Sequence, residues 1–159
     1  MADPSPDPRD AASAGSSPPP RPVAALLEAR PFMYAALAVL TLPWWTSGLA
    51  KLADLDGALA EARHFGLEPV WVVVVATLLV QLGGSLLLIT QRCAWLAAGA
   101  LGVFTALATL IAHRFWELAD PVARLHDQNR FLEHIGLIGG LMVAAIWVHH
   151  AQHKASRPR

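Results

Sequence analysis

Residues 69–91 form a run of 23 amino acids without a single charge, bounded by Glu68 and Arg92. A helix needs about 20 apolar residues to cross a hydrocarbon core of roughly 30 Å. A run this long therefore leaves little choice: it crosses a bilayer, or it fills the centre of a domain larger than this chain can build. Three more segments support the first option. Residues 31–50 contain no charge, and residues 93–112 contain none before His113. Residues 135–148 give only 14 uncharged positions. They span if residues 131–134 supply the first turn, with Glu133 inside the bundle or at the interface; otherwise a run of that length is re-entrant. The expected fold class is all-α, a four-helix transmembrane bundle with spans at about 31–50, 69–91, 93–113 and 131–149. Pro43 lacks a backbone donor and clashes one turn back, so it should kink the first span near Val39.

Composition agrees. Only 15% of the 159 residues are charged and 55% are hydrophobic, against roughly a quarter charged in soluble domains. The formal net charge is zero and the basic residues are scattered, which gives no electrostatic footprint for nucleic acid. Membrane lipid is the expected partner. Cys93 is the single cysteine, so no intrachain disulfide and no cysteine-ligated cluster can form. Residues 1–22 are mostly Pro, Ala, Ser and Asp, with no aromatic or branched aliphatic side chain. Such a segment cannot offset its ordering entropy and reads as a disordered tail. Its three early carboxylates and missing apolar stretch do not match a signal peptide.

Trp71, Trp95, Trp116 and Trp147 fall near the proposed membrane boundaries, where amphipathic rings sit well; Trp44 and Trp45 lie inside the first span. Seven Lys and Arg residues fall on the side of the two termini and the Arg92 turn, five on the side of the longer loops. The positive-inside rule then places both termini, including a basic tail over residues 151–159, in the cytoplasm.

Membrane helices associate through small residues that let backbones approach. Ala94, Ala98, Gly102 and Ala106 recur every four residues in the third span, and Gly136, Gly140 and Ala144 in the fourth. Gly102, Gly136 and Gly140 are thus the expected packing glycines. At 100° per residue, Glu133 falls near the face of Gly136 and Gly140, and His113 shares a face with Thr109. Gln81 aligns with Thr77, Gly84 and Ser85, and Lys51 with Trp44, Ser47 and Gly48. Polar groups within a membrane are costly and point to function. Lys51, Gln81, His113, Glu133 and His134 make up a candidate pocket, with Lys51 and Glu133 within ion-pair reach. Satisfied helix-end contacts are the plainer reading of the same residues. His149, His150 and His153 have an i,i+4 pair but no nearby carboxylate or cysteine, so no metal site is expected. His126 and Asp127 are placed in a loop. Residues 52–65 place Leu52, Leu55 and Leu59 on one stripe, as in a short surface helix stopped by Gly66 and Pro69.

Four short motifs occur in order: SGLAKLAD after the first span, QLGGSLLLITQRCAWLAAGAL across the second and third, AHRFWE, and NRFLEHIGLIGGLM. Together they resemble the DoxX family over about residues 32–150. The resemblance implies a small four-helix protein of the bacterial inner membrane. The family is related to the DoxD subunit of a thiosulfate:quinone oxidoreductase, and some members are linked to oxidative-stress complexes. By position, Lys51 matches the lysine after the first helix, and His113, Phe115 and Trp116 match a His-x-Phe-Trp pattern. Gly139 and Gly140 match a glycine pair. Gln81 replaces a frequent glutamate, and Glu133–His134 a frequent Lys–Asn. The implied function is that of a quinone-facing partner of a soluble or membrane oxidoreductase subunit. No flavin, haem or iron–sulfur motif is present, so no intrinsic cofactor is expected and quinone is the candidate ligand. The alternative is a non-catalytic assembly or scaffold protein whose polar cluster fixes helix register.

Overall fold

The computed structural model describes residues 19–155, with side chains up to Gln152, and contains helices and turns with no strand among the described residues. They fall into two compact units that divide between Met33 and Tyr34. In the first unit, α1 (Arg21–Glu28) carries Pro22 in its opening turn, where a fixed φ and a missing N–H cost nothing. Arg21 and Pro22 are thus helical and not part of the expected tail over residues 1–22, of which residues 1–18 lie outside the described residues.

The expected first span is not one helix. α2 (Arg30–Leu40), which runs from the first unit into the second, and α3 (Leu42–Ala53) meet at a turn at Thr41. Pro43 is the cause, as the sequence suggests, but the break lies two residues beyond Val39. A carbonyl freed at the break is taken by a side chain. The Trp45 indole donates to Ala38 O at 3.1 Å, and the Thr41 hydroxyl adds a bond at 2.8 Å to Leu37 O, which also accepts from Thr41 N. Trp45 thus sits away from the boundary because it repairs the break.

α4 (Leu55–His64) is capped by Asp54, whose carboxylate accepts from Gly57 N at 2.9 Å. It closes with Gly66 at φ 65°, Gly66 N donating to Arg63 O and Leu67 N to Ala62 O, the paired bonds of a glycine-terminated helix. Its packed face only partly follows the leucine stripe: Ala58 and Ala62 are buried against Val74 with Leu59 packed beside them, whereas Leu52 and Leu55 are exposed. Alanines let the helix axis approach a neighbour closely, and leucines at those positions would hold it away.

α5 (Val70–Leu78) passes through a wide π turn (Leu79–Gly83) into α6 (Gly84–Ile89). α7 (Ala94–Ala112) is followed by a short 3₁₀ turn (Phe115–Glu117) and α8 (Pro121–Ala155). Three helical segments are long and apolar enough to cross a membrane: Val70–Ile89, Ala94–Glu117 and Pro121–Gln152. A fourth crossing is counted only if Arg21–Glu28 and Arg30–Leu40 act as one broken span. α8 begins ten residues before the span expected at 131–149, and residues 151–155 continue it rather than forming a tail. The start is written in the sequence: Asp120 caps it, accepting from Ala123 N at 2.8 Å, with Pro121 in the first position. His126 and Asp127 are therefore helical.

The buried stripe of α7 is Ala97, Leu101, Thr105 and Thr109 at four-residue spacing, joined near its start by Ala94 and Ala98. On α8 it is Leu141, Ala144 and Val148, roughly 70° around the helix from the Gly136–Gly140–Ala144 ridge at 100° per residue. Gly136 is exposed and has nothing near its face. Gly140 meets Leu40, and Gly102 reaches Leu141 at 4.0 Å. The closest approaches of a glycine to a neighbouring helical segment are elsewhere, at Gly48 against Leu82 and Gly84 against Leu101.

Candidate functional site

A cavity of about 520 Å³ lies among α3, α4, α5, the π turn, α7 and α8, within the range of roughly 300–1,000 Å³ for small-molecule sites. Val73, Val80, Phe104 and Leu137 are typical of its apolar lining. Of the five residues expected to form a pocket, Lys51, Gln81, His113 and His134 line it. Glu133 does not; it is exposed on α8. His134 takes its place, on the side of α8 that also brings Leu137 to the cavity wall.

Lys51 forms its ion pair with Glu61 on α4 and not with Glu133. The sequence reading missed this because it assigned α4 no inward role. With Ala58 and Ala62 packed against α5, Glu61 lies on the cavity wall.

Gln81 is 5% exposed and sits in the π turn. A π turn is rare and often marks a functional position, since it widens the backbone and re-aims side chains. The amide nitrogen of Gln81 donates to Ser47 Oγ at 3.3 Å. Its Oε1 is buried without a hydrogen-bond partner among the described residues. Its backbone carbonyl, by contrast, accepts from the Ser85 hydroxyl at 2.5 Å. An unpaired buried carbonyl costs about 1–3 kcal/mol, so this atom is the uncompensated feature of the site.

The two histidines are fixed by their neighbours. His113 Nδ1 lies 2.7 Å from Asp127 Oδ1; a carboxylate accepts, so Nδ1 carries the hydrogen. Thr109 Oγ1 donates its one hydrogen to Thr105 O at 2.6 Å. It can only accept from His134 Nδ1, 2.7 Å away. Nδ1 therefore holds the hydrogen in both rings, whose centroids are 5.0 Å apart. In the neutral form of each ring Nε2 is then an acceptor, with no protein partner among the described residues. Below them, the buried Trp44 indole donates to Thr105 Oγ1 at 2.9 Å, which accounts for a tryptophan far from the membrane boundary. Neither partnership is expected from the sequence, which places Asp127 in a loop and aligns Thr109 with His113 rather than with His134. Asp127 lies seven residues before His134, two turns along the same helix, once α8 is started at Pro121.

Helices of this length and apolarity, with leucines, valines and Trp71 and Trp95 turned outward, define a multi-pass membrane protein. The family model for DoxX matches residues 32–114, more than half of the chain, and the protein belongs to the DoxX family. The match takes in α3 to α7 and ends at Arg114, before the NRFLEHIGLIGGLM segment of α8. No curated protein and no solved structure matches the chain.

Proposed function

We propose that this chain is a four-helix protein of the bacterial inner membrane, with both termini cytoplasmic, that holds a quinone headgroup in the Gln81 cavity. In this reading it is the quinone-facing partner of an oxidoreductase whose electron-carrying subunit is another protein. The observation that carries the reading is the buried, unpaired Gln81 Oε1 in the wall of a largely apolar cavity. A buried acceptor left unpaired by the protein is explained if a ligand donates to it, as a hydroxyl of the reduced headgroup would. The residues fit the group. Apolar walls suit a ring and the start of an isoprenoid chain, while Gln81, His113 and His134 supply directed hydrogen-bonding atoms. When bound, a quinone supplies a carrier of two electrons and two protons. The chain's own residues orient the ring and exclude water, and His113, held in one tautomer by Asp127, presents Nε2 as a proton-accepting atom.

The test is quinone retention. The protein is purified from bacterial membranes in mild detergent, and its bound quinone is extracted and measured per mole of protein. Retention above that of an unrelated membrane protein is expected, and Gln81→Leu and His113→Ala should lower it with melting temperature preserved. Retention at the background level, or unchanged in both variants, removes the quinone reading and leaves the scaffold role, for which the Lys51–Glu61 and His113–Asp127 contacts suffice.

A further inference from the structure

The cavity has two mouths of different polarity. At its polar end Glu61 and Phe65 of α4 line it and are exposed, and the Lys51–Glu61 ion pair ties α3 to α4 there. The second mouth lies between α5 and α7, inside the apolar spans. These two helices are linked through α6 and the turn at residues 90–93, yet beyond the π turn they draw apart. α7 packs on α6, the π turn and α8, while α5 packs on α3 and α4. Ala76 and Leu107 mark the two rims of the gap, since each lines the cavity and is also exposed. On α5, Ala76 stands between outward-facing Val72 and Leu79 and cavity-lining Val73 and Val80. On α7, Leu107 stands in the same way between outward-facing Val103 and Leu110 and cavity-lining Phe104 and Ile111. The shared spacing, i−4 and i+3 outside against i−3 and i+4 inside, puts both residues where the wall turns from cavity to lipid. Ala76 lies six residues past the start of α5 and Leu107 five before the end of α7. That is about 9 and 7.5 Å along two antiparallel axes, so the rims are level.

The geometry points to a lateral portal between α5 and α7. A membrane-borne amphiphile enters there from the bilayer, seats its headgroup beside Gln81, and leaves its hydrocarbon chain running out between Ala76 and Leu107 into lipid. This inference rests on the quinone reading above for the headgroup and adds the route and the place of the isoprenoid chain. The physical reason is the solvent on each side of the two mouths. A chain already in lipid gains no hydrophobic stabilisation from a protein wall, and enclosing it would cost conformational freedom. A portal avoids that cost, because only the headgroup has to leave the bilayer. Entry at the polar end would part Lys51 from Glu61 and carry every methylene of the chain through water. The far side of α5 is shut, since Ala58 and Ala62 of α4 are packed on Val74. Alanine at the α5 rim keeps the passage clear, and a large ring at that position would fill it.

The experiment uses the full chain in lipid nanodiscs and a ubiquinone analogue that carries a photoactivated diazirine in its isoprenoid chain. It is run with the ring oxidised and again with it reduced, each with and without an excess of the chain-free headgroup as competitor. Illumination is followed by peptide mapping of the labelled residues. Labelling is expected on the portal walls, at Ala76, Val80, Leu107 or Ile111, and the competitor should suppress it, because the chain is held there only while the headgroup is bound. Ala76→Trp should lower this competed labelling by about tenfold, the equivalent of a modest overpacking penalty in the passage. Val75→Trp, one residue away and turned outward, should leave it unchanged. The wild-type map needs no variant, so a folding defect in Ala76→Trp leaves the inference open to refutation. Competed labelling at Glu61 and Phe65 instead, or equal labelling of the two tryptophan variants, overturns the portal while leaving the quinone reading intact. Labelling spread over the outward-facing side chains and indifferent to the competitor in both redox states overturns both readings.

Discussion

Gly83 and Gly84 are adjacent in sequence, and replacing each with alanine should give opposite results. At Gly84 an added Cβ would lie 2.9 Å from Leu101 Cγ and 3.1 Å from its Cδ2. Leu101 is fully buried, so it has no open space into which to swing. Overpacking of this kind costs about 1–3 kcal/mol. At Gly83 nothing lies within 4 Å of the same Cβ. Both changes gain the alanine helix preference of up to about 1 kcal/mol over glycine, so that contribution cancels in the comparison. The difference between the variants isolates the clash, and Gly84→Ala should be less stable than Gly83→Ala by about 1–3 kcal/mol. Equilibrium unfolding of both variants in mixed detergent micelles, followed by circular dichroism, measures it. Equal stabilities, or a greater loss at Gly83, would refute the placement of α6 against α7, and with it the rotation that brings Gln81 to the cavity.

The Lys51–Glu61 pair should show a coupling of about 0.2–1 kcal/mol in a double-mutant cycle with Lys51→Met and Glu61→Gln, small because half of the Glu61 side chain is exposed. The same cycle run with Lys51 and Glu133 should be additive within about 0.3–0.5 kcal/mol; coupling there and none at Glu61 would reverse the assignment. Trp44→Phe removes the indole donor to Thr105 and some buried volume, and should lower stability by about 1–2 kcal/mol. Trp71→Phe, at a side chain turned outward from the fold, should cost clearly less, and equal losses would count against the Trp44 contact. Reporter fusions at the two ends should both read cytoplasmic; a periplasmic reading at one end alone would mean an odd number of crossings.

Much of this protein is legible without coordinates. Uncharged runs near the length of a bilayer crossing determine that the chain is helical and multi-pass, because a lipid interior satisfies backbone groups only within a helix or a closed barrel. Three of those runs correspond to Val70–Ile89, Ala94–Glu117 and Pro121–Gln152. Pro43 marks the broken segment, and Asp120–Pro121 marks the start of α8 even though the uncharged-residue count placed it later. Lys51, Gln81, His113 and His134 stand out as costly polar residues in apolar surroundings. What the sequence could not determine is rotation about each helix axis and the partner of each charge. Small-residue spacing names a ridge, but contact is decided by which neighbouring side chains fill the gap, and Leu82 and Leu101 choose Gly48 and Gly84 over Gly136. Glu61 displaces Glu133 as the partner of Lys51 because α4 is drawn onto α5 by two alanines, a long-range contact with no local signature. The π turn at Gln81 is likewise a product of packing: one residue more per turn is tolerated where Ser85 takes the Gln81 carbonyl, and that turn holds a side-chain oxygen in the cavity wall with no protein atom to bind it.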